Sequence, residues 1–212
     1  MTAPTPIERA NILIEGTAPL SAEDKRRFAY FGENAKILPP YRILNPQNIS
    51  IGDRVSIRDG CHINAFKDLT FIHDYVEGRF KDDFARSDYI YNGRIEIGHT
   101  CQIGRFAFMS CTNMIRIEDH VVLSERVFIG DNNHGHSHPD VPIMQQPNQQ
   151  GSPVTIGRGS WLGAGSAILA GAELGQNTVV GANVVIRRGR YPARAVFSPA
   201  APHMRVKDGD EH

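Results

Sequence analysis

The chain has 212 residues, enough for one hydrophobic core with appended segments and barely enough for two. Lysine plus arginine and aspartate plus glutamate number 23 each, so net charge gives no reason to expect binding to nucleic acid or to an anionic membrane. The apolar runs are far shorter than the roughly 20 residues of a membrane-spanning helix, and the first residues lack the basic and apolar regions of a signal peptide. We therefore expect a soluble cytoplasmic protein.

The N-terminal segment, residues 1–42, shows no repeat. Ser21 is a favourable helix-capping residue, and the acids Glu23 and Asp24 that follow are typical of a first helical turn. The sequence predicts a short helix that begins at Ser21 and ends near Gly32.

Residues 43–198 carry a repeat of six residues. In its longest stretch an aliphatic residue recurs six times in succession, which chance would give about once in four thousand starts if roughly a quarter of positions were aliphatic. These residues are Ile156, Leu162, Ile168, Leu174, Val180 and Ile186. Three earlier blocks have the same spacing: Ile51, Ile57 and Ile63; Ile97, Ile103 and Met109; Ile117, Leu123 and Ile129.

A six-residue unit fits a short strand followed by a turn. Glycine follows several of the aliphatic residues, as at Gly163 and Gly181, where a tight corner needs a backbone without Cβ. Three units would make one coil of a triangular solenoid, with aliphatic side chains along its axis and backbone hydrogen bonds between coils. The sequence thus predicts an all-β fold, a parallel β-helix, whose handedness the period leaves open.

Two insertions and a tail depart from the repeat. Residues 67–93 hold six of the 17 aromatic residues, and we expect either an arm that packs on its own coil or a segment that contacts a neighbouring subunit or a sugar ring. Residues 135–151 form a polar loop rich in Gln, Asn and Pro. Residues 199–212 form a C-terminal tail, and we expect the part beyond Lys207 to be disordered.

Three cysteines are too few for a disulfide framework and fit a reducing compartment. Cys61 and Cys101 occupy an inward position of the repeat, which predicts buried structural thiols and not nucleophiles. Cys111 lies outside that position, so its role stays open.

The boundaries of the second insertion carry the most informative residues. They read Asp131-Asn-Asn-His134-Gly-His136 at its start and Pro153-Val-Thr-Ile-Gly-Arg-Gly-Ser-Trp161-Leu-Gly163 where the repeat resumes. Together with the repeat, these segments resemble the hexapeptide-repeat O-acetyltransferases, which include galactoside and maltose acetyltransferases and sugar acetyltransferases of bacterial surface polysaccharide pathways. The resemblance is good over residues 94–190 and rests on the repeat alone over residues 43–66. It implies a left-handed parallel β-helix, a triangular prism with a short N-terminal helical segment and two loop insertions.

The resemblance also implies a mechanism of direct acetyl transfer. An alcohol must lose its proton as it attacks the thioester of acetyl-CoA, and a neutral imidazole is suited to accept that proton. The resemblance assigns this role to His134. Asp131 would either orient the imidazole or bind a turn amide in the stacked coil. A backbone amide or the side chain of Asn132 or Asn133 would stabilise the oxyanion.

Acetyl-CoA is the co-substrate that the resemblance implies, and we expect no metal. The pantetheine arm would lie in a groove between coils where side chains are small, and arginines would bind the nucleotide phosphates. The cofactor-binding residues would be Trp161, Gly163, Ala164, Ala182, Arg187 and Arg188. Alternatively, the small residues and the arginines do not bind the cofactor: the small residues only form corners of the coils, and the arginines are solvent-exposed residues at the end of the β-helix. The family's closing glycine is missing from residues 190–205, so contacts to the adenine end, including any from Arg205, stay open.

The resemblance further implies a homotrimer with active sites between subunits and a saccharide hydroxyl as acceptor, in surface polysaccharide or lipopolysaccharide biosynthesis. His136 would contact the acceptor together with the two asparagines, and His138 would be a loop residue.

Three other functions compete with this interpretation. The nearest is an N-acetyltransferase for a nucleotide-linked amino sugar. A zinc hydratase similar to γ-type carbonic anhydrases would need three histidines between subunits, but His134, His136 and His138 all lie within five residues of one loop. A non-catalytic β-helix used for assembly is the third.

Overall fold

The computed structural model describes residues 11–67, 91–143, 146, 149 and 151–199. Within these residues, nearly all regular structure is β-strand, arranged as three sheets of seven strands each. The helical elements with both ends in this part of the chain are the α-helix α1 (Ala22–Arg26) and a 3-10 turn at Pro46–Asn48. None of its helices is long and apolar enough to cross a membrane.

The sheets are numbered in the order in which a coil visits them. Sheet 1 contains β2 (Tyr30–Phe31), β5 (Ile49–Ile51), β8 (Arg94–Ile97), β11 (Met114–Ile117), β14 (Val154–Ile156), β17 (Ala172–Leu174) and β20 (Gly189–Tyr191). Sheet 2 contains β3 (Lys36–Ile37), β6 (Ser56–Ile57), β9 (Gln102–Ile103), β12 (Val122–Leu123), β15 (Trp161–Leu162), β18 (Val179–Val180) and β21 (Val196–Phe197). Sheet 3 contains β1 (Leu13–Gly16), β4 (Tyr41–Leu44), β7 (Cys61–Ala65), β10 (Phe108–Cys111), β13 (Phe128–Gly130), β16 (Ala167–Ile168) and β19 (Val185–Ile186).

The chain therefore forms a parallel β-helix, as the repeat predicts, and it is left-handed, as the resemblance to the hexapeptide-repeat family implies. Each coil crosses sheets 1, 2 and 3 in turn, and its strands pair in parallel with those of the neighbouring coils. The exception is β1, which lies ahead of the first coil and pairs antiparallel with β4. Each predicted block of three aliphatic residues is one coil: Ile51, Ile57 and Ile63 lie on the three sides and are all buried. Stacking repeats this arrangement in every coil, so the core is a single apolar column along the axis.

The corners of the prism are tight turns closed by backbone hydrogen bonds between coils. Ten non-glycine residues in the described chain have a positive φ, and several of them lie at these corners, among them Thr100, Phe106 and His120. The Thr100 N–H, for example, donates to the carbonyl of Asp53 at 2.8 Å, one coil earlier. The interlocking of successive corners offsets the strain of these conformations.

The N-terminal segment differs from its prediction in two respects. Ser21 caps α1 as expected, accepting from the backbone N–H of Asp24 at 3.0 Å, but the helix ends at Arg26 and not near Gly32. The chain then enters the first coil, because Tyr30–Phe31 and Lys36–Ile37 already pair with the next coil. The helix ends early because Phe31, Ile37 and Ile43 fit the six-residue spacing of the coils.

The two insertions leave the prism at the same corner, between sheets 3 and 1. The first connects β7 to β8, and the second connects β13 to β14. We call this corner the loop corner; between the two insertions it is formed by Thr112 and Asn113, which connect β10 to β11. Most of the aromatic insertion, residues 68–90, and the tail from residue 200 onward lie outside the described residues, so the expectations for Phe71, Tyr75, Phe80, Phe84 and Tyr89 stay predictions.

Candidate active site

His134 lies on the second insertion, four residues after β13 ends at Gly130. Its side chain is exposed, and its imidazole forms no hydrogen bond with any residue that the structure describes. The nearby His136 is also exposed, and its Nδ1 contacts the carbonyl oxygen of His134 at 3.1 Å. Both nitrogens of the His134 ring are therefore available to a substrate within the described surroundings.

Asp131 is completely buried at the loop corner. Its Oδ1 accepts hydrogen bonds from the Thr112 backbone N–H (2.8 Å) and hydroxyl (3.2 Å), and its Oδ2 accepts from the N–H groups of Asn113 (2.7 Å) and Met114 (2.8 Å). A carboxylate buried without a cation is tolerated because these donors replace its hydration. Of the two roles that the sequence left open for Asp131, these contacts are those of the turn role. Within the described residues no hydrogen bond connects this carboxylate to His134.

Asn132 and Asn133, which lie between Asp131 and His134, differ in whether their side-chain amides are free to donate to an oxyanion. The Asn132 Nδ2 group donates to Ser110 at its carbonyl (3.0 Å) and hydroxyl (3.1 Å) and to Asp131 Oδ1 (3.1 Å), so its donors are already used. The side chain of Asn133 is exposed and has no hydrogen-bond partner among the described residues, while its backbone carbonyl accepts from Gln149 at 2.9 Å. Asn133 therefore keeps a free amide donor one residue from His134.

The predicted pantetheine groove maps to a different corner, between sheets 2 and 3. Gly163 and Ala182 lie on successive coils there, and a Cβ added at Gly163 would lie 2.7 Å from the backbone nitrogen of Ala182. The φ angle of Gly163 is not positive, so its backbone conformation does not require glycine. Glycine is needed here because the next coil approaches too closely to leave room for a Cβ. Ala164 and Ala182 are both exposed, so the surface here is backbone and methyl groups. We call Gly163, Ala164 and Ala182 the small-residue corner.

Trp161 lies beside the small-residue corner on the outer face of sheet 2. Its side chain is 49% exposed, and its Nε1 donates to the hydroxyl of Ser124 at 3.0 Å. This hydrogen bond fixes the indole plane while leaving about half of the ring surface open to a ligand.

Arg187 and Arg188 lie at the loop corner, one whole side of the prism away from the small-residue corner. The Arg188 guanidinium donates to the Ser152 hydroxyl at 2.6 Å, which ties it to the end of the second insertion. The Arg187 side chain is exposed and has no partner among the described residues. Within one copy, therefore, Trp161 and the small-residue corner lie together, whereas the arginines lie two coils along the corner from which the loop of His134 leaves the prism.

The three thiols are buried, as expected for Cys61 and Cys101 and newly resolved for Cys111. Burial raises the pKa of Cys61 and of Cys101 to about 11. The pKa of Cys111 is also raised, by burial and by the adjacent Asp131 carboxylate. A thiolate is disfavoured at all three positions, so a covalent acetyl-cysteine has no support in these environments.

The outer faces of the sheets differ in polarity. Sheet 1 carries exposed ion pairs, Arg116 with Glu96 at 3.0 Å and Arg190 with Glu173 at 2.8 Å. Sheet 3 carries an aromatic column in which the rings of Phe108 and Phe128 stack with centroids 5.9 Å apart, and Val185 further along it is 54% exposed. Apart from the ion pair of Arg42 with Glu15 on β4 and β1, sheet 3 is thus less polar than sheet 1, and sheet 2 also exposes apolar side chains, those of Val122, Trp161 and Val196.

The sequence did not single out the residues that brace the second insertion. Thr112 accepts through its hydroxyl from the Gly151 N–H at 3.0 Å, and the Asn113 side-chain amide donates to the Gly151 carbonyl at 2.9 Å. These residues lie outside the aliphatic positions of the repeat, so periodicity gives no signal for them. The described residues contain no group of three His, Cys, Asp or Glu side chains placed to hold a metal ion.

Comparison with known proteins relates the chain to one family. Residues 153–188 match the family model described as bacterial transferase hexapeptide (six repeats). WbbJ of Escherichia coli (strain K12), whose name is that of a lipopolysaccharide biosynthesis O-acetyl transferase, is 30% identical over 180 residues, covering 79% of this chain and 76% of WbbJ. The dTDP-4-amino-4,6-dideoxy-D-glucose acyltransferase of Escherichia coli is 27% identical over 165 residues, covering 76% of this chain and 72% of that protein.

Among solved structures, AntD, an N-acyltransferase from Bacillus cereus in complex with dTDP and 3-hydroxybutyryl-CoA, has a similar fold. The TM-score is 0.62 at 20% sequence identity, and the match covers 85% of each chain. At this identity the match supports the fold alone. Together with the identity to WbbJ and the coils described above, it leads to one conclusion: the chain belongs to the bacterial hexapeptide-repeat transferases and is an acyltransferase of that family.

Proposed function

We propose that the protein is an acetyl-CoA-dependent O-acetyltransferase that acts on a saccharide hydroxyl in surface polysaccharide or lipopolysaccharide biosynthesis, with His134 as general base. The observation that carries this proposal is the exposed His134 imidazole, which has no hydrogen-bond partner among the described residues. The start of the loop that carries it is nevertheless held in place by the hydrogen bonds of Asp131 to the backbone N–H groups of Thr112 and Asn113. The name of WbbJ supports the choice of a hydroxyl acceptor and of lipopolysaccharide biosynthesis.

The reaction then proceeds by direct attack. As the acceptor oxygen forms a bond to the acetyl carbon, His134 takes the hydroxyl proton. The free amide of Asn133 is the candidate donor to the oxyanion. When the carbon–sulfur bond breaks, the proton passes from the imidazole to the departing thiolate of CoA, and the base is regenerated.

The separation of the two corners supports a trimer with shared sites. The groups proposed to hold the pantetheine arm, Trp161 and the small-residue corner, lie a full side away from His134 in one copy. In a cyclic trimer each interface joins two different patches, so one copy's small-residue corner can meet the next copy's loop corner. Arg187 would then be placed for the CoA phosphates, and the apolar outer face of sheet 3 would be covered.

The proposal is tested by His134→Ala with acetyl-CoA and a panel of saccharide acceptors, measuring release of the CoA thiol. We expect kcat to fall by about 10² to 10⁴, the usual contribution of a general base. The matched control is His120→Asn, an exposed histidine with positive φ at another corner, since asparagine tolerates that backbone. Full activity in His134→Ala would refute the mechanism.

The second candidate is N-acetylation of a nucleotide-linked amino sugar, which the similarity to dTDP-4-amino-4,6-dideoxy-D-glucose acyltransferase favours. The product distinguishes the two reactions, because mild alkali cleaves an acetyl ester and leaves an amide intact. If the product is stable to alkali and forms only with amino sugars, the acceptor is an amine and not a hydroxyl. The role of His134 as general base is the same in both reactions.

A further inference from the structure

The loop that carries His134 is anchored at both ends to one turn of the preceding coil. At its start, Asp131 binds three consecutive backbone N–H groups, those of Thr112, Asn113 and Met114, at 2.7 to 2.8 Å. At its end, Gly151 exchanges hydrogen bonds with the side chains of Thr112 and Asn113. The Thr112–Met114 turn therefore determines where both ends of the loop leave the prism.

The packing at this anchor leaves little freedom. A Cβ added at Gly151 would lie 2.6 Å from both Asp131 Oδ1 and the Thr112 hydroxyl, so the two ends of the loop are in close contact around the carboxylate. The Ser152 N–H donates to the Asp131 carbonyl at 2.8 Å, which joins the ends directly. Asn132, next in the chain, is held to Ser110. Only Asn133 separates this fixed segment from His134.

We propose that Asp131 is a positioning residue for His134: its buried carboxylate fixes the start of the loop on the Thr112–Met114 turn and thereby sets where the imidazole meets the acceptor. This rests on the proposed function, in which His134 is the base. Asp131 acts through the backbone, and it does not polarise the imidazole. A loss of position at a reacting group lowers kcat, because a displacement of about 1 Å can cost a hundredfold in rate.

Asp131→Asn is the principal test. An asparagine side chain has one acceptor oxygen and a donor group, so it cannot accept from all three N–H groups, and at least one donor is left without its partner. We expect kcat to fall about tenfold to a hundredfold with the KM for acetyl-CoA unchanged. We also expect the pH at half-maximal kcat to stay where it is in the wild type, since the carboxylate does not contact the imidazole.

The matched control is Asp119→Asn. Asp119 also binds a backbone N–H at a corner, that of His99 at 2.8 Å, but the corner is the one between sheets 1 and 2. A role confined to general stability would lower the melting temperature of both variants and leave the kcat of the folded protein unchanged. Wild-type kcat in Asp131→Asn, or a large shift of the acid limb of its pH profile, would overturn the proposal.

Asn113→Ala covers the case in which Asp131→Asn does not fold. It removes the hydrogen bond to the Gly151 carbonyl and leaves no buried charge without partners. A fall in kcat of at least severalfold at unchanged KM supports positioning by the anchor, and an unchanged kcat overturns it. His134→Ala, measured in parallel, separates this inference from the proposed function: if His134→Ala is active the function fails, and if only Asp131→Asn and Asn113→Ala are active the inference alone fails.

Discussion

The strongest prediction concerns Phe108, because the proposed trimer requires sheet 3 to be covered. Phe108 is 38% exposed in the single chain and stacks on Phe128 on the outer face of that sheet. A phenylalanine presents about 200 Å² in total, so roughly 75 Å² of it remains to be buried by a neighbour. At about 25 cal/mol per Å², this burial contributes about 2 kcal/mol per copy, or about 6 kcal/mol for the three copies of a trimer.

Phe108→Ser should therefore dissociate at protein concentrations where the wild type is a trimer, as measured by sedimentation velocity over a dilution series. Activity should fall together with the trimer fraction, since each proposed site uses two copies. The matched control is Tyr30→Ser, which removes a 49% exposed aromatic residue from the charged outer face of sheet 1. A wild-type monomer, or dissociation by Tyr30→Ser but not by Phe108→Ser, would refute the assignment of sheet 3 to the interface.

Two further predictions concern charge and titration. Arg187→Ala should raise the KM for acetyl-CoA about tenfold with little change in kcat, since a charge-assisted hydrogen bond contributes about 1.5 to 3 kcal/mol. The control is Arg190→Ala, which removes a nearby arginine already paired with Glu173 and should leave the KM for acetyl-CoA unchanged. Equal effects of the two substitutions would contradict the role of Arg187 in binding the CoA phosphates. Burial raises the pKa of Cys61 and Cys101 to about 11, so folding favours their protonated forms. The stabilisation is complete below the ordinary thiol value of about 8.5 and is lost as pH rises towards 11, with a slope of about 1.4 kcal/mol per pH unit for each thiol. Urea unfolding at about pH 8 and about pH 10 measures this slope, and equal stabilities at the two values would contradict it.

The periodic part of the sequence predicted the fold because each coil requires one inward residue per side. Ile51, Ile57 and Ile63 illustrate this: they are six residues apart in the sequence, and each is the buried residue of one side of the same coil. The first coil was missed because its sheet 1 position holds Phe31, an aromatic residue, and because the aliphatic pattern after it is interrupted by the turn at Pro46–Asn48.

The candidate site was predictable only in part. The motif identified His134 and its neighbours, but the partners of Asp131 lie about 18 residues earlier, at a turn that has no pattern of its own. Spacing along one coil does not reveal which amides lie beneath a side chain in the next. The division of the proposed site between two corners was likewise invisible in the sequence, because a repeat gives the position of a residue within a coil and not the distance between corners.

The first strand of sheet 3 has a consequence for how the stack ends. β1 pairs antiparallel with β4, whereas the other strand pairings between coils that the structure describes are parallel. A column of like rungs would otherwise present a ready template on which a second molecule could add end to end and grow into a filament. A strand of a second molecule that ran in the direction of the coils would meet β1 antiparallel, so it would not continue the parallel ladder of the column on the sheet 3 side.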